Sequence, residues 1–375
     1  MNKIKHLFAI FIIVLFFPIS STAQTTKVIW KSGNNTGGSS ANEDVGTVTW
    51  TMTVSNYDAA DCDPCNIQIS VKTSGSGAST SSSGTDYSSY GTKTVSVSGN
   101  GDYTTQFTIL DDNIDEDDET FILRMNPDGI GLGSGEDGNE TFTIKDNDAQ
   151  PTINVQDASK TVSEDAGWVR LYVTRDRPSQ RSTQPSFDVS VGGTATGGGE
   201  DYNALSPTTY TFTASSSGLT DYFDIYIQDD SKDEDSETIT FTIDGSNATN
   251  GSALVTTLTI NDNDAAPNID FSAASGNASE GNSGTSTKTA QVTLSAVSGK
   301  DVSANYTVGG TSAGNGTDHD AAAGTVNISA GQQTANISFD LTGETTYELD
   351  ETIILTLASA TNASVSGQTT HTYTI

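Results

Sequence analysis

The sequence predicts an all-β protein built from tandem antiparallel β-sandwiches. Gly, Ser, Thr and Asn are abundant, with 36 glycines among 375 residues, and strong helix formers are scarce. β-Branched and aromatic residues alternate with polar ones in short segments separated by Gly, Ser and Asn turns, as in half-buried strands. An acidic run with strand-like segments on both sides also returns at a nearly constant interval, so we expect repeated domains.

Residues 1–23 are predicted to be a signal peptide. Lys3 and Lys5 provide a charged start, 7–19 form a short apolar core, and Ser21-Thr22-Ala23 suits cleavage near Ala23. The apolar run is too short for a spanning helix, and no later segment is apolar enough to cross a bilayer. We therefore expect a bacterial protein that is secreted or held at the cell surface, with no direct membrane span.

The first repeat is predicted at residues 24–148. It shows about seven short strands with apolar residues at every second position, which is typical of an immunoglobulin-like sandwich whose strands each supply one face to the core. The apolar positions of the seven strands are, in order, Val28, Ile29 and Trp30; Val48, Trp50, Met52 and Val54; Ile67, Ile69 and Val71; Val95 and Val97; Phe107 and Ile109; Phe121 and Leu123; and Phe142 and Ile144.

The second and third repeats are predicted at 149–264 and 265–375, with the same strand pattern. Short linkers stiffened by Pro151 and Pro267 lead us to expect neighbouring repeats held end to end in an elongated rod. The third repeat reaches Ile375 without the acidic tripeptide that closes the other two, so we interpret the chain as cut within a longer array.

Acidic residues recur at four separated places in the repeats. They are an early Glu, a middle Asp that follows a glycine by two residues, a long acidic run, and in the first two repeats a closing Asp-Asn-Asp. Seven of the nine residues in the run 111–119 are acidic. Loops distant in sequence gather at one end of a sandwich, and four such loops can supply the six to eight oxygens that Ca2+ prefers. The spacing therefore indicates a calcium site in each repeat.

The formal net charge of −32 disfavours polyanionic partners. A chain this acidic repels nucleic acid and anionic membrane surfaces. Scattered acids usually serve solubility alone, but here they cluster at recurring places, which solubility does not require.

These motifs together resemble the Calx-β domain family, a group of calcium-binding sandwiches. The matching signature runs from Gly193-Thr194-Ala195 and Asp201-Tyr202 through the acidic run 229–237 to Asp262-Asn263-Asp264. The resemblance implies calcium ions at one end of each sandwich. It assigns to the first repeat the ligands Glu43, Asp86, Asp111, Asp112, Glu116, Glu119, Asp146 and Asp148, with the carbonyl of Ile114.

In the second repeat the resemblance assigns Glu164, Asp201, Asp229, Asp230, Glu234, Glu237, Asp262 and Asp264, with the carbonyl of Lys232. The third repeat departs from the pattern, because Gly343 and Glu344 stand where the others carry an Asp pair. It retains Glu280, Asp318, Glu344, Glu348 and Glu351, and we expect weaker occupancy there.

The two cysteines, Cys62 and Cys65, lie three positions apart. In an exported protein we expect a local disulfide that braces the loop. A redox motif would need a thioredoxin-like βαβ setting, and a zinc site would need two further soft ligands.

Two other functions compete with that of a calcium-stiffened structural module. Catalysis is not expected, because His319 and His371 accompany no nucleophile motif and no phosphate loop. An adhesin whose repeats themselves contact a cell-surface protein or glycan is the stronger alternative. Trp50 and Trp168 lie in strand patterns, however, and are predicted to be core residues, so the sequence offers no exposed aromatic platform.

Overall fold

The structure is a computed structural model that describes residues 26–31, 40–73, 85–128, 130–133, 138–213, 218–312, 314 and 316–375. The predicted signal peptide lies outside these residues. Two compact units are formed, Met1–Ala149 and Gln150–Ile375. The first contains one hydrophobic core and the second contains two, so each predicted repeat has a core of its own. No helix among the described residues is long and apolar enough to span a membrane.

Nine strands form within the described part of the first repeat. A one-turn 3-10 helix, Glu43–Val45, follows the second of them. The strands are β1 (Lys27–Trp30), β2 (Ser40–Asn42), β3 (Thr47–Ser55), β4 (Cys65–Val71), β5 (Lys93–Val97), β6 (Gly101–Thr108), β7 (Glu119–Asp128), β8 (Gly131–Leu132) and β9 (Asn139–Lys145). They form a four-stranded sheet in the order β6-β3-β1-β8 and a five-stranded sheet in the order β2-β9-β7-β4-β5.

The second repeat has the same order of elements, including a 3-10 helix at Glu164–Ala166. Its strands are β10 (Thr152–Val155), β11 (Ser159–Ser163), β12 (Trp168–Arg175), β13 (Ser186–Gly193), β14 (Thr209–Thr211), β15 (Thr220–Tyr226), β16 (Glu237–Ser246), β17 (Thr249–Asn250) and β18 (Val255–Asn261). Its two sheets are ordered β15-β12-β10-β17 and β11-β18-β16-β13-β14.

The third repeat follows the plan once more. Its strands are β19 (Asn268–Phe271), β20 (Ser275–Asn277), β21 (Thr285–Leu294), β22 (Val302–Gly310), β23 (Gly324–Ile328), β24 (Thr334–Thr342), β25 (Thr352–Thr361), β26 (Ser364–Val365) and β27 (Thr370–Thr374). The sheets are ordered β24-β21-β19-β26 and β20-β27-β25-β22-β23.

The all-β sandwich prediction is confirmed, with two corrections that recur in every repeat. The described residues of each sandwich form nine strands instead of about seven, and the pairing is not purely antiparallel. The additional strands are short and lack apolar alternation. Each of them pairs in parallel with a neighbour, as β2 does with β9 and β8 with β1. The chain crosses to the opposite sheet after β1, β10 and β19, where the next strand runs alongside the last strand of the repeat. It crosses back after β7, β16 and β25, where the next strand runs alongside the first strand of the repeat.

Trp50 is a core residue as predicted, but Trp168 is not. The Trp50 side chain is 1% exposed and its ring lies 5.1 Å from that of Phe142. Trp168 is 71% exposed, because Val169 and the alternate residues after it fill the core face of β12 and place Trp168 on the opposite face. The prediction for Trp168 was therefore wrong.

The cysteine loop of the first repeat is closed by a disulfide between Cys62 and Cys65, whose Cα atoms lie 4.9 Å apart. The bridge joins the start of β4 to the loop that precedes it. Cys65 is fully buried in the first core, so the bridge anchors this loop to the sandwich.

Candidate metal centre

The early Glu of the first repeat is positioned by a parallel strand pair. Asn42 at the end of β2 lies opposite Lys145 at the end of β9. Because the two strands run in the same direction, the residues that follow them emerge at the same end of the sandwich. Carboxylate oxygens of Glu43, Asp146 and Asp148 consequently lie within 4.8 Å of one another.

The middle Asp is fixed by a bridge between Tyr87 and Ile109. Next to this bridge, the backbone N–H of Leu110 donates a 3.0 Å hydrogen bond to the carbonyl of Asp86. The side chain of Asp86 meets the carboxyl group of Glu119, the first residue of β7, and the two groups share a hydrogen bond. Asp86 and Glu119 thus form a second acidic pair at the same end.

The acidic loop folds back through short turns. The backbone N–H of Ile114 donates to Asp112 Oδ1 at 2.7 Å, and that of Asp148 donates to Asp146 Oδ1 at 3.0 Å. Asp111 differs from the rest because it faces solvent, where its Oδ1 accepts a 3.1 Å hydrogen bond from Asn147 Nδ2. Asp111 therefore ties the acidic loop to the closing tripeptide from outside the cluster.

The second repeat reproduces this geometry around a small pocket. Ser163 lies opposite Asn261, so Glu164 is brought within 4.8 Å of Asp262 and Asp264, and separately of Asp230 and Glu234. The pocket has a volume of about 10 Å³, which is room for one ion or water. Its acidic walls are Glu164, Asp201, Glu234, Asp235, Glu237 and Asp262.

Backbone packing requires a glycine at the turn of Gly193. A Cβ atom at Gly193 would overlap the carbonyl oxygen of Thr238, and its φ of +118° disfavours other residues. This close approach of Gly193 to Thr238 lies shortly before Asp201 in the chain. The Asp201 carboxylate accepts one hydrogen bond from the backbone N–H of Thr196 and another from the carboxyl group of Glu237.

One side chain in the second site was not anticipated. The family resemblance implies that the backbone carbonyl of Lys232 is a calcium ligand. Its side chain also enters the site, since Lys232 Nζ lies 2.7 Å from Asp230 Oδ2 and 3.9 Å from Glu234 Oε1. The backbone N–H of Lys232 also donates to Asp230 Oδ1 at 2.8 Å. Asp229 faces solvent and accepts a bond from Asn263, as Asp111 does in the first repeat.

The third repeat gathers fewer acids around a wider opening. Glu280, Asp318 and Glu348 bring carboxylate oxygens within 4.8 Å of one another, and Asp318 is 3% exposed. Glu344 and Glu351 join Glu280 and Glu348 in the wall of an open groove of about 260 Å³. All five predicted residues therefore lie at one end, but around a larger space than in the second repeat.

The crowding of these carboxylates changes their proton affinity. Burial and, second, the charges of neighbouring carboxylates raise the pKa of Glu43 to about 8. Among those carboxylates, Asp146 and then Asp112 have the largest effects. The same causes raise the pKa of Glu116 to about 7, and that of Glu164 to about 7. For Glu119 and Glu237, burial and the shared bond with the middle Asp raise the pKa to about 8.

The residues present fit a hard cation bound through oxygen. Several buried carboxylate oxygens have no hydrogen-bond donor among the residues that the structure describes, including those of Glu119, Glu164, Asp264 and Glu280. Orphaned buried acceptors are costly, and an oxygen-preferring divalent cation would satisfy them while neutralising the repulsion. Soft ligands are absent from these clusters of described residues, which argues against zinc or copper.

We predict that the calcium-free protein loses stability as pH rises from about 4.5 to 8. The raised pKa values mean that the folded state holds protons that the unfolded state releases. Stabilisation by these protons is complete below the unfolded pKa and disappears as pH passes the folded pKa. Melting scans in chelator across this interval measure the effect. A melting temperature that is flat or rises with pH over this interval would contradict it.

The comparisons with known proteins point to one family. The family model of the Calx-beta domain matches residues 40–145, 146–264 and 262–375. No curated protein matches the chain. Among solved structures, CBD12 from CALX1.2 is 15% identical and is matched over 59% of this chain and 98% of its own, with a TM-score of 0.26. The apo form of the Calx CBD1 domain is 18% identical over 33% of this chain and 100% of its own, with a TM-score of 0.27.

Proposed function

Because the chain belongs to the Calx-beta domain family, we propose that its repeats bind Ca2+ at their acidic ends and that bound calcium stiffens the tandem array. Calx-beta domains are calcium-binding modules, and the acidic clusters of this chain lie where the sandwich loops meet. The observation that carries the proposal most strongly is the convergence of acidic oxygens in the second repeat, where Glu164 lies within 4.8 Å of Asp262 and Asp264 and, in a second group, of Asp230 and Glu234. Unneutralised carboxylates at such distances would repel one another.

In the second repeat the proposed ligands fall into two groups that share Glu164, one with the closing tripeptide and the other with the acidic loop. In the first repeat the group that joins the early Glu to the closing tripeptide recurs, with Glu43, Asp146 and Asp148. Bound Ca2+ would supply the positive charge that this end of the sandwich lacks. Loops that repel one another without the ion would then be held in one arrangement.

Stiffening is proposed to act through contacts between the second and third repeats, which share one compact unit. The backbone of Asp233, in the acidic loop, pairs with Ser298 of the third repeat. Gly299 N–H donates to the Asp233 carbonyl at 3.1 Å, and Lys300 Nζ lies 2.8 Å from Asp233 Oδ1. The loop that carries Asp230 and Glu234 is therefore also a docking element for the next repeat.

Gly299 strengthens this link between the two repeats. A Cβ atom at Gly299 would overlap the side chain of Glu234, which is one of the proposed ligands. A change in the position of the Glu234 side chain on calcium binding would therefore alter its contact with the backbone of Gly299 in the third repeat. This coupling supports a role in which calcium fixes the angle between successive sandwiches.

We further propose that the protein acts outside the cell as a structural or adhesive module and not as an enzyme. The predicted export signal and the proposed calcium sites suit the millimolar calcium of extracellular surroundings, where modules with Kd values of about 10⁻⁴–10⁻³ M are used. His319 and His371 are buried within the third repeat, at 3% and 5% exposure, which does not favour contact with a substrate.

Melting scans with calcium and with chelator test the proposal. Calcium that binds the folded protein and not the unfolded chain must raise the melting temperature. The scans should be repeated with magnesium, whose smaller size and demand for octahedral geometry suit these loops less well. A melting temperature that ignores calcium would remove the basis of the proposal.

Lys232 should weaken calcium binding in the second repeat, because its ammonium group must leave Asp230 before the carboxylate can bind an ion. We predict that Lys232→Ile, which introduces the residue found at the matching position of the first repeat, tightens binding by about two- to fivefold. Calcium titration of the variant and the parent chain measures the difference. Unchanged or weaker affinity in Lys232→Ile would show that the ammonium group does not compete with the ion.

A further inference from the structure

The outer face of the second repeat carries a continuous group of aromatic side chains. Three cross-strand pairs of β12 and β15 compose it: Trp168 with Tyr226, Arg170 with Asp224, and Tyr172 with Tyr222. We call these six residues the aromatic strip. Trp168 is 71% exposed, Tyr222 42% and Tyr172 40%, so large apolar surfaces face solvent on a sheet whose other face already fills the core.

The aromatic strip is held in a fixed geometry. The rings of Trp168 and Tyr226 lie 5.3 Å apart, and those of Tyr172 and Tyr222 lie 6.3 Å apart. Between them Arg170 makes two 2.9 Å hydrogen bonds to Asp224. The guanidinium group of Arg170 also stacks 3.5 Å from the ring centre of Tyr222. Locked side chains of this kind lose little entropy when they bind a ligand.

The sandwich fold does not require these aromatics, because the other two repeats lack them at the same face. The matching strands β3 and β6 carry Thr, Gln and Thr in their outward pairs, and β21 and β24 carry Thr, Ser, Gln, Asn and Asp. The outward pairs are Thr47–Thr108, Thr49–Gln106 and Thr51–Thr104 in the first repeat, and Thr287–Asp340, Thr289–Ser338 and Gln291–Asn336 in the third. The aromatic strip is therefore a feature added to one repeat of an otherwise common scaffold.

An open groove of about 390 Å³ runs beside the aromatic strip. Trp168 and Tyr222 contribute to its wall together with Ser206, Asp221 and Asp224. Carboxylate oxygens and the serine hydroxyl accept hydrogen bonds from hydroxyl groups, and the hydroxyl and guanidinium groups can donate them. Flat apolar rings thus lie next to a row of polar groups suited to a ligand rich in hydroxyls.

We propose that the aromatic strip and its groove bind a neutral oligosaccharide. Sugar rings present C–H groups on their faces and hydroxyls on their edges, which match the negative faces of aromatic rings and the polar groups of the groove. Charge selects against anionic ligands, since Asp224 neutralises Arg170, Asp221 adds a negative charge, and the whole chain carries −32. The strip spans about 13 Å from residue 168 to 172, so several sugar units are expected to make contact.

Tryptophan fluorescence provides a direct test in the full chain. Of the three tryptophans, Trp30 and Trp50 are 5% and 1% exposed, so quenching by acrylamide reports mainly on Trp168. The probes are neutral glucan, mannan, xylan and galactan oligosaccharides, with uronic-acid oligosaccharides as anionic counterparts. All titrations are carried out in chelator and again with calcium, because none of the proposed calcium ligands belongs to the aromatic strip or lines its groove.

We expect at least one neutral oligosaccharide to protect Trp168 from acrylamide, with or without calcium, and the anionic probes to fail. Trp168→Thr and Tyr222→Thr, which introduce the residue types of the first repeat, should weaken binding by roughly tenfold. Threonine suits strands, so both variants should fold, and melting scans verify this. Val255→Thr removes an exposed apolar side chain elsewhere in the same repeat and should leave binding unchanged.

Three outcomes would overturn the proposal. The first is that no neutral oligosaccharide protects Trp168 from acrylamide. The second is that Trp168→Thr binds the oligosaccharide as tightly as the parent chain in calorimetry. The third is that the protein binds the anionic probes more tightly than the neutral ones. Sedimentation of the same samples identifies one further occupant: self-association that Trp168→Thr abolishes would assign the aromatic strip to a second copy of the chain and not to a saccharide.

Discussion

Saturating calcium should raise the free energy of unfolding of the first repeat by about 2.7 kcal/mol for each site occupied at a hundredfold excess over Kd. Glu43→Gln should remove most of this gain. Glu43 is 6% exposed and lies with Asp146 and Asp148 in one cluster, so the amide would replace a central anionic ligand without changing the shape of the side chain. The calcium-free variant should be no less stable than the parent chain at pH 8, because the substitution relieves crowding that raises the pKa of Glu43 to about 8.

The first repeat offers its own optical probe for this experiment. Trp30 and Trp50 are buried in its core, whereas Trp168 of the second repeat is exposed before unfolding begins. The red shift of tryptophan emission during denaturant unfolding therefore follows the first repeat. Asp44→Asn is the matched control, since Asp44 is the exposed neighbour of Glu43 in the same 3-10 helix. A calcium-induced gain that persists in Glu43→Gln, or is lost equally in Asp44→Asn, would contradict the assignment.

Lys300→Met should destabilise the contact between the second and third repeats by about 1–3 kcal/mol. The variant leaves the Asp233 carboxylate without its cation at a position where the side chain is only 8% exposed. Methionine keeps the length and apolar stem of lysine, so the loss reflects charge and hydrogen bonding. Because Asp233 belongs to the same loop as Asp230 and Glu234, the variant should also bind calcium more weakly in the second repeat.

Differential scanning calorimetry and limited proteolysis between the repeats measure the two effects of Lys300→Met. Lys288→Met, a substitution on β21 of the same repeat, controls for the general loss of a positive charge from an acidic chain. Equal melting and cleavage of the two variants would show that the Asp233–Lys300 pair does not hold the repeats together. Normal calcium affinity in Lys300→Met would show that the contact between the repeats does not influence calcium binding in the second repeat.

The strand pattern was largely predictable, because burial on one face leaves a period of two in the sequence. The short strands β2 and β8 were not, since three and two residues are too few to show that period. The misassigned Trp168 had a readable signal: it is out of phase with Val169, Leu171 and Val173, which define the core face of β12. A residue out of phase with its own strand should have been predicted on the surface.

The acidic clusters were predictable as loops that share one end of a sandwich, but their internal arrangement was not. The approach of Glu43 to Asp146 depends on a parallel pair that only the folded chain forms. The contact between Asp233 and Lys300 joins residues 67 positions apart in different repeats. The ammonium group of Lys232 among the proposed ligands likewise depends on side-chain conformation, which residue type and spacing do not specify.

Isothermal titration of calcium into the metal-free full chain tests the central claim most directly. The account predicts saturable binding of at least one ion by each of the first two repeats, and its loss from both when Glu43→Gln and Glu164→Gln are combined. A folded chain that takes up no calcium, or a double variant that binds as the parent does, would contradict the claim that these converging carboxylates form calcium sites.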